Sequence, residues 1–178
     1  QLPLTEPMDQ EQIERIDTAS LDILEEVGVV FRDDIALEDW REAGADVRGD
    51  RVHLDRGLVK SLIKTIPSEI TLHARNPEKT VALGGRQSIF IPMTGAPYLR
   101  DLEDVRRSPT LDDLATFHKL AHMLSAMHSS AHHIVEPMDH PISHRHLRIT
   151  HSSMLYSDKT FMGMTTSGQN AEDVLDMC

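Results

Sequence analysis

The chain has 178 residues, of which 39% are apolar and 26% are charged, a composition typical of a globular protein rather than a disordered one. Its 29 acidic and 18 basic residues give a formal charge of −11, which repels a phosphate backbone and argues against nucleic acid as a partner. Cys178 is the only cysteine, and no apolar run approaches the roughly 20 residues that span a bilayer, so neither an internal disulfide nor a membrane segment is expected.

Short helices and short strands alternate in the first part of the chain. Residues 9–26 repeat apolar side chains about every 3.6 positions, which predicts a helix, and Gly28 follows as a typical helix stop. Residues 51–54 alternate polar and apolar side chains, as a half-buried strand does. We therefore predict a mixed α+β region of helices and hairpins over residues 1–108. Its other predicted helices cover 35–43 and 55–66, and its other predicted strands cover 29–31, 70–74, 80–83 and 89–91.

The chain changes character between residues 91 and 114. A turn of small residues, Thr-Gly-Ala-Pro at 94–97, lets the backbone bend, and a strand-like segment with a charged run follows it. Ser108, Pro109 and Thr110 then precede Asp112 and Asp113. A hydroxyl that caps free amides, with acids in the first turn, predicts the start of a helix over 111–124.

Strands alternate with helices after residue 108. The predicted strands are 131–135 and 160–164, and the predicted helices are 143–155 and the segment from 171 onward. Strands separated by helices pair in parallel with right-handed crossovers, as in a barrel or a doubly wound sheet. We predict that these two strands are parallel neighbours in one sheet. Because the sequence stops inside a helical pattern, we interpret residues 109–178 as the first βα units of a truncated domain.

Nine of the 11 histidines fall between His118 and His151. His118 and His122 have the i,i+4 spacing that places two imidazoles on one helix face, as zinc ligands require. The zinc-protease helix also needs a glutamate directly after the first histidine, but Lys119 stands there. No cysteine or suitably spaced acidic residue completes a ligand set. We therefore interpret these histidines as surface or half-buried groups and predict no metal site.

The carboxyl ends of the predicted parallel strands supply the candidate site residues, because βα folds carry their sites there. His133 lies in the first of these strands and Glu136 directly follows it, so both are candidates for binding a substrate. Thr165 follows the next strand and is a third candidate. The alternative for Glu136 is a structural role, either capping the turn at Pro137 or pairing with a basic residue such as Arg145. The glycines of the chain match no phosphate-binding or dinucleotide-binding fingerprint.

Seven short motifs, in their order and spacing, resemble the trimethylamine methyltransferase family. Each motif alone is common, but the ordered set covers nearly the whole chain. The resemblance implies a (β/α)8 barrel, incomplete in this chain, and proteins much longer than 178 residues. This chain would then be the amino-terminal part. The motifs are 11–16, 24–29, 43–45, 51–52, 74–77, 95–98 and 107–114.

The resemblance implies that a methyl group moves from a methylated amine to the cobalt of a corrinoid held by a separate small protein. This chain would itself bind no cofactor. Trimethylamine enzymes of that family contain pyrrolysine at a position beyond Cys178, whereas most members belong to a branch without it that includes glycine betaine methyltransferases. We therefore expect a quaternary amine such as glycine betaine as substrate. We also expect a homo-oligomer. We expect a cytoplasmic location, since residues 1–4 have neither the basic start nor the apolar stretch of a signal peptide.

Two other functions remain open at this stage. A metal-dependent hydrolase on a similar barrel would use the clustered histidines. A non-catalytic binding protein would hold a quaternary amine without transferring its methyl group. Aromatic side chains that could cage a cation make up only 4% of the chain, and its one tryptophan, Trp40, lies in a predicted amphipathic helix where a packing role is the simpler interpretation.

Overall fold

A computed structural model describes residues 6–178. The chain divides after Ser68 into two compact units. The boundary predicted at residue 108 concerns a different property, the change from hairpins to βα units, and stays a prediction. Within the described range, every helix is too short or too polar to cross a membrane.

Three α-helices and one small sheet make up the first unit over its described residues, 6–68. Each helix has an aspartate directly before it whose carboxylate accepts a hydrogen bond from a free amide of the first turn, at Asp9, Asp33 and Asp55. The predicted helices are confirmed, although the first one widens into a π-helical turn at Ile23–Val27. The helices are α1 (Gln10–Asp22), α2 (Asp34–Glu42) and α3 (Arg56–Ile63), and the strands are β1 (Val29–Val30), β2 (Asp46–Arg48) and β3 (Arg51–His53).

The sheet of the first unit is antiparallel with the order β1-β3-β2. Val52 at its centre is fully buried and pairs with Val29 on one side and Val47 on the other. Gly28 has a φ of +72°, and a Cβ at that position would lie 2.6 Å from the carbonyl oxygen of Val52. The glycine that ends the first helix is therefore required by close backbone packing as well as by its backbone angle. Leu37 and Leu54 complete this core, with Trp40 packed against it.

The second unit consists of two antiparallel hairpins followed by three helices. The predicted helix start at Thr110 is confirmed, because its hydroxyl accepts from the amide of Asp113 while the Asp113 carboxylate accepts from the amide of Thr110. The strands are β4 (Glu69–Leu72), β5 (Val81–Gly84), β6 (Leu99–Arg100) and β7 (Arg106–Arg107), and the helices are α4 (Leu111–Met123), α5 (Ile142–Tyr156) and α6 (Gly168–Met177).

Three segments of the second unit run parallel where they meet, with α4 between the first and second, α5 between the second and third, and α6 after the third. We name them the first segment (95–97), the second segment (129–136) and the third segment (160–162). Ala96 forms a parallel bridge with Val135, and Ser129 forms one with Thr160. The parallel direction predicted for the last two segments agrees with this bridge, but Ser129 precedes the predicted strand 131–135, and the described sheets include neither segment.

The prediction of regular strands at 131–135 and 160–164 is wrong. Ala131 has a φ of +56°, in the left-handed region that a non-glycine residue rarely adopts. This angle turns the backbone out of the extended conformation. The first segment therefore bonds only to the later part of the second segment, and the third segment bonds only to its earlier part. Residues 89–91 form no strand either. Among residues 6–178 the fold is thus a mixed α/β arrangement of small sheets and helices, and its sheets do not close into a barrel.

The core of the second unit lies between the second segment and the helices that flank it. Leu114 of α4 and Ile149 of α5 are both fully buried there. Ala131, Ile134 and Val135 contribute the apolar side chains of the segment itself. Packing against two helices fixes the position of the segment that carries two of the candidate site residues.

The hairpin of β4 and β5 is joined to the end of α5 by polar contacts. Arg75, between the two strands, donates hydrogen bonds to the carbonyl oxygens of Met154 (2.8 Å), in the last turn of that helix, and Ser157 (3.2 Å), directly after it. Asp158 accepts from the side chain of Asn76 at 3.1 Å and from Lys79 at 2.6 Å. The motif at 74–77 therefore has a structural role, which is to dock the hairpin.

Candidate functional site

The candidate site lies at the carboxyl end of the second segment. The amide of Gly95 donates to the carbonyl of His133 at 2.7 Å, and the amide of Glu136 donates to the carbonyl of Ala96 at 2.9 Å. These bonds hold the first and second segments side by side. In parallel βα folds this edge of the sheet is where side chains converge on a ligand.

Glu136 is half-buried and forms an ion pair with Arg145. Its Oε1 accepts from Nη1 of Arg145 at 2.7 Å, and the two side chains are 24% and 13% exposed. Arg145 lies in the first turn of α5 and donates two further bonds to the carbonyl oxygen of His140. This ion pair is the structural alternative that we predicted for Glu136. The carboxylate and the guanidinium are both present at the edge, so a ligand would meet a balanced charge pair.

His133 is half-buried, and its ring has no hydrogen bond to any described residue. Nδ1 is buried without a partner. Nε2 faces Gly95, and a Cβ on that glycine would lie 3.5 Å from this nitrogen. The ring meets His132 edge-on, with 5.6 Å between centroids and 74° between planes. His133 is therefore held in place by packing while its hydrogen-bonding groups are left free.

Thr165 is exposed and follows the third segment. Its neighbours shape the start of α6, because the hydroxyl of Ser167 accepts from the amide of Asn170 and that of Thr166 accepts from the side chain of Asn170. His133 and Glu136 thus share one segment, whereas Thr165 belongs to the adjacent one. No hydrogen bond within residues 6–178 joins Thr165 to the other two.

A buried polar cluster lies behind the second segment, between α4 and α5. Nε2 of His118 donates to the carbonyl oxygen of His132 at 2.6 Å, and its Nδ1 lies 2.9 Å from Ser152 Oγ. His132 Nε2 lies 3.1 Å from Thr150 Oγ1. Ser153 Oγ lies 3.2 Å from His118 Nε2. The cluster ties both helices to the segment that carries His133.

Burial keeps the imidazoles of this cluster neutral. It lowers the pKa of His132 to about 3, with the nearby His133, His118 and His146 adding smaller contributions in the same direction. Burial also lowers the pKa of His118, and the carbonyl oxygen of His132 partly opposes that shift. Neutral imidazoles can accept a hydrogen bond at one nitrogen and donate at the other, which is what the contacts to the serines and threonine require.

The interpretation of the histidines as surface or half-buried groups is wrong for His118, which is fully buried. The sequence did contain the signal. His118 falls on the same helix face as Leu114 and Ala121, at i+4 and i−3, and both of those residues are buried. Within the described residues, no group of three or more histidine, cysteine or acidic side chains is placed to hold a metal ion. His122 lies apart from the cluster, 3.1 Å from a carboxylate oxygen of Asp158.

Parallel segments that alternate with helices, with half-buried polar groups where the segments end, are typical of βα proteins that bind a ligand at that edge. The chain belongs to the trimethylamine methyltransferase (MTTB) family, whose model matches residues 1–178.

Individual relatives differ in their named substrates. The chain is 42% identical over 176 residues to a glycine betaine methyltransferase of Desulfitobacterium hafniense (strain Y51). The aligned region covers 99% of this chain and 37% of the relative. It is 26% identical over 174 residues to the trimethylamine methyltransferase MttB of Desulfitobacterium hafniense (strain DSM 10664 / DCB-2), covering 94% of this chain and 34% of that protein. It is 27% identical over 112 residues to an L-carnitine:corrinoid methyltransferase of Eubacterium limosum, covering 62% and 23%. The chain thus spans little more than a third of the length of the first two relatives.

Proposed function

We propose that the protein to which this chain belongs transfers a methyl group from a quaternary amine, with glycine betaine as the leading candidate, to the cobalt of a corrinoid carried by a separate protein. The observation that carries this proposal is the 42% identity to a glycine betaine methyltransferase across 99% of the chain. The trimethylamine relative is 26% identical over a similar length. This difference favours a quaternary amine over trimethylamine.

The proposed reaction balances without a proton or an external oxidant. The bond between the methyl carbon and the quaternary nitrogen breaks, and its electron pair stays on nitrogen, which becomes a neutral tertiary amine. Cobalt in the Co(I) state supplies both electrons of the new bond to carbon and becomes Co(III). The substrate loses its positive charge in this step, so the site must hold a cation without stabilising it more than the transition state.

The proposal includes a (β/α)8 barrel as the complete fold and the carboxyl end of its sheet as the binding face. The parallel bridges between the three segments support this arrangement, because parallel sheets are normally covered by helices and closed or extended by further strands. On that face we place His133, Glu136 and Thr165 as substrate-binding residues. Glu136 would act together with Arg145. A homo-oligomer and a cytoplasmic location are the other parts of the proposal.

Methyl transfer by the purified full-length protein tests the proposal directly. Chemically reduced cob(I)alamin is mixed with glycine betaine, carnitine or trimethylamine, and formation of methylcob(III)alamin is followed by its absorbance. We expect transfer from glycine betaine at the highest kcat/KM of the three. Binding of glycine betaine without any transfer, also with a cognate corrinoid protein present, would instead identify a binding protein and overturn the proposal.

A further inference from the structure

His133 leaves a hydrogen-bond donor free at the candidate site. We propose that His133 Nε2 binds the carboxylate of a zwitterionic quaternary amine and so makes the site specific for substrates that carry an acid group. This inference rests on the proposed function, in which the same site holds the ammonium end of the substrate. It adds that the part of the substrate away from the ammonium group carries a carboxylate.

The His133 ring packs edge-on against a side chain that is itself held in place. Its edge-on neighbour, His132, is itself held from both sides. The side chain of His132 is bonded to Thr150 of α5, and its carbonyl oxygen is bonded to His118 of α4. The carbonyl oxygen of His133 accepts from Gly95 at 2.7 Å. A ring held in this way loses little conformational entropy when a ligand binds to it.

Gly95 keeps the space in front of Nε2 open. Its φ of +78° lies in the left-handed region, and it has no side chain to fill the position 3.5 Å from Nε2 where a Cβ would stand. The glycine therefore leaves this side of the ring uncovered by any side chain of residue 95. The same position in most other residues would be occupied by the side chain of the protein itself.

The environment of Nδ1 indicates whether Nε2 of the same ring is a hydrogen-bond donor or an acceptor. Nδ1 of His133 is buried without a partner. A buried donor without a partner is rarer in proteins than an acceptor without one, so the favourable neutral tautomer carries its proton on Nε2. That nitrogen is then a donor, and its partner must be an acceptor. Protonation of the ring would leave Nε2 a donor as well.

A quaternary ammonium group has no lone pair and no N–H, so it cannot satisfy this donor. A carboxylate can, and its negative charge strengthens the bond. Glycine betaine and carnitine, the substrates named for two of the relatives, both carry a carboxylate, whereas trimethylamine has none. The guanidinium of Arg145, which pairs with Glu136, is a poorer candidate for this role, because three of its five N–H donors already bond Glu136 and the carbonyl oxygen of His140.

Calorimetric binding to the full-length protein tests the inference, with glycine betaine and choline as paired probes. Choline keeps the trimethylammonium head and replaces the carboxylate by a hydroxyl. Losing a hydrogen bond to a charged group weakens binding by about 10- to 100-fold. We expect His133→Phe to raise the Kd for glycine betaine by about that factor and to change the Kd for choline by less than about threefold. His133→Gln, whose amide nitrogen can reach the position of Nε2, should recover part of the loss.

His151→Phe is the matched control, because His151 is an exposed histidine of α5. It should leave both dissociation constants unchanged. Equal weakening of both probes by His133→Phe, or unchanged binding of glycine betaine, would overturn the inference. If His133→Phe lowers the melting temperature, His133→Gln decides the question alone. Failure of the proposed function is distinguishable, since it would appear as absent methyl transfer in the unsubstituted protein while the binding comparison remains measurable.

Discussion

The ammonium group of Lys159 donates a hydrogen bond to the carbonyl oxygen of Ala121, 2.7 Å away in the last turn of α4. The same group donates to the carbonyl oxygens of Leu124 and Met127, which follow that helix. Carbonyls at the end of a helix lack partners within it, and a cation there also interacts favourably with the helix dipole. Lys159, only 7% exposed, thus ties the end of α4 to the start of the third segment.

Replacing Lys159 by methionine should destabilise the second unit. The change keeps the length of the side chain and removes the charged donor, so three carbonyl oxygens lose a partner. Hydrogen bonds to charged groups contribute about 1.5–3 kcal/mol each, and their effects overlap when one group makes all three. We expect a loss of about 2–4 kcal/mol in the free energy of unfolding, measured by urea denaturation of the full-length protein. Lys64→Met, at an exposed position after α3, should change it by less than about 0.5 kcal/mol.

Stability should fall as the pH falls below about 6.5, because of His132. Its pKa is about 3 in the folded protein and 6.5 in the unfolded chain. Above pH 6.5 both states are neutral and its contribution is fully present. Between 6.5 and 3 only the unfolded chain takes up the proton, so stability is lost in that window. From about pH 7 to about pH 5.5 the loss should be about 1 kcal/mol, with His118 adding to it in the same direction.

Urea denaturation at those two pH values measures this loss, and both lie above the range in which aspartates protonate. His132→Gln should reduce the pH dependence, whatever its effect on stability at pH 7. His151→Gln removes an exposed histidine and should leave the pH dependence unchanged. An equal pH dependence in the unsubstituted protein and in His132→Gln would contradict the neutral, buried state of His132.

Asp158→Asn should loosen the hairpin of β4 and β5. The carboxylate accepts from Lys79 and Asn76, and the bond from Lys79 is the main reason that its pKa is lowered to about 2. The folded-state pKa lies below the unfolded value of 3.8, so this contribution is present above pH 3.8 and is lost as the pH falls towards 2. At neutral pH the substitution should cost about 1 kcal/mol.

Hydrogen exchange detects the predicted loosening, as faster exchange of the amides of β4 and β5 in Asp158→Asn. Asp46→Asn serves as the comparison, since Asp46 pairs with Arg48 at the surface and both side chains are more than half exposed. Surface pairs contribute little, so this variant should exchange like the unsubstituted protein. Unchanged exchange in Asp158→Asn would show that Arg75 and the backbone bond from the Asn76 amide to the Asp158 carbonyl oxygen suffice to dock the hairpin.

Glu136→Gln tests the role of the carboxylate at the candidate site. The substitution keeps the size of the side chain and removes its charge, so Arg145 would lose its anionic partner. If both groups bind the substrate, we expect kcat/KM for methyl transfer to fall at least about tenfold, a change of about 1.4 kcal/mol in transition-state binding. The melting temperature should stay within a few degrees. Glu172→Gln, at an exposed position of α6, should have normal kinetics. Normal kinetics in Glu136→Gln would leave Glu136 with a structural role only.

Much of the local structure could be predicted from the sequence, because aspartate and threonine caps, glycine stops and apolar periodicity act over a few residues. The caps at Asp55 and Thr110 and the stop at Gly28 are examples. The irregular second segment could not be predicted in this way. Its left-handed residue is an alanine, Ala131, which has no intrinsic preference for that conformation. Ala131 is fully buried, and its amide donates to the hydroxyl of Ser129, so its conformation depends on contacts that a local pattern does not contain.

The candidate site also combines features that a local sequence pattern predicts with features that depend on tertiary contacts. The pattern of strands and helices predicts His133 and Glu136 near a strand end, and the structure places both in the second segment, which is not a regular strand. The free nitrogens of His133 depend on the ring of His132 and on the missing side chain of Gly95, which lies 38 residues earlier in the chain. Contacts of this kind arise from tertiary structure, and a single sequence does not contain them in a local pattern.

The docking of the hairpin also sets an order of events during synthesis. Arg75 and Asn76 leave the ribosome about 80 residues before Met154 and Asp158, their partners at the end of α5. At roughly 5–20 residues per second, the nascent hairpin waits about 4–16 seconds for those partners. A docking edge made of a guanidinium, an amide and an ammonium group stays hydrated during this interval, whereas an apolar edge would expose a surface on which nascent chains aggregate.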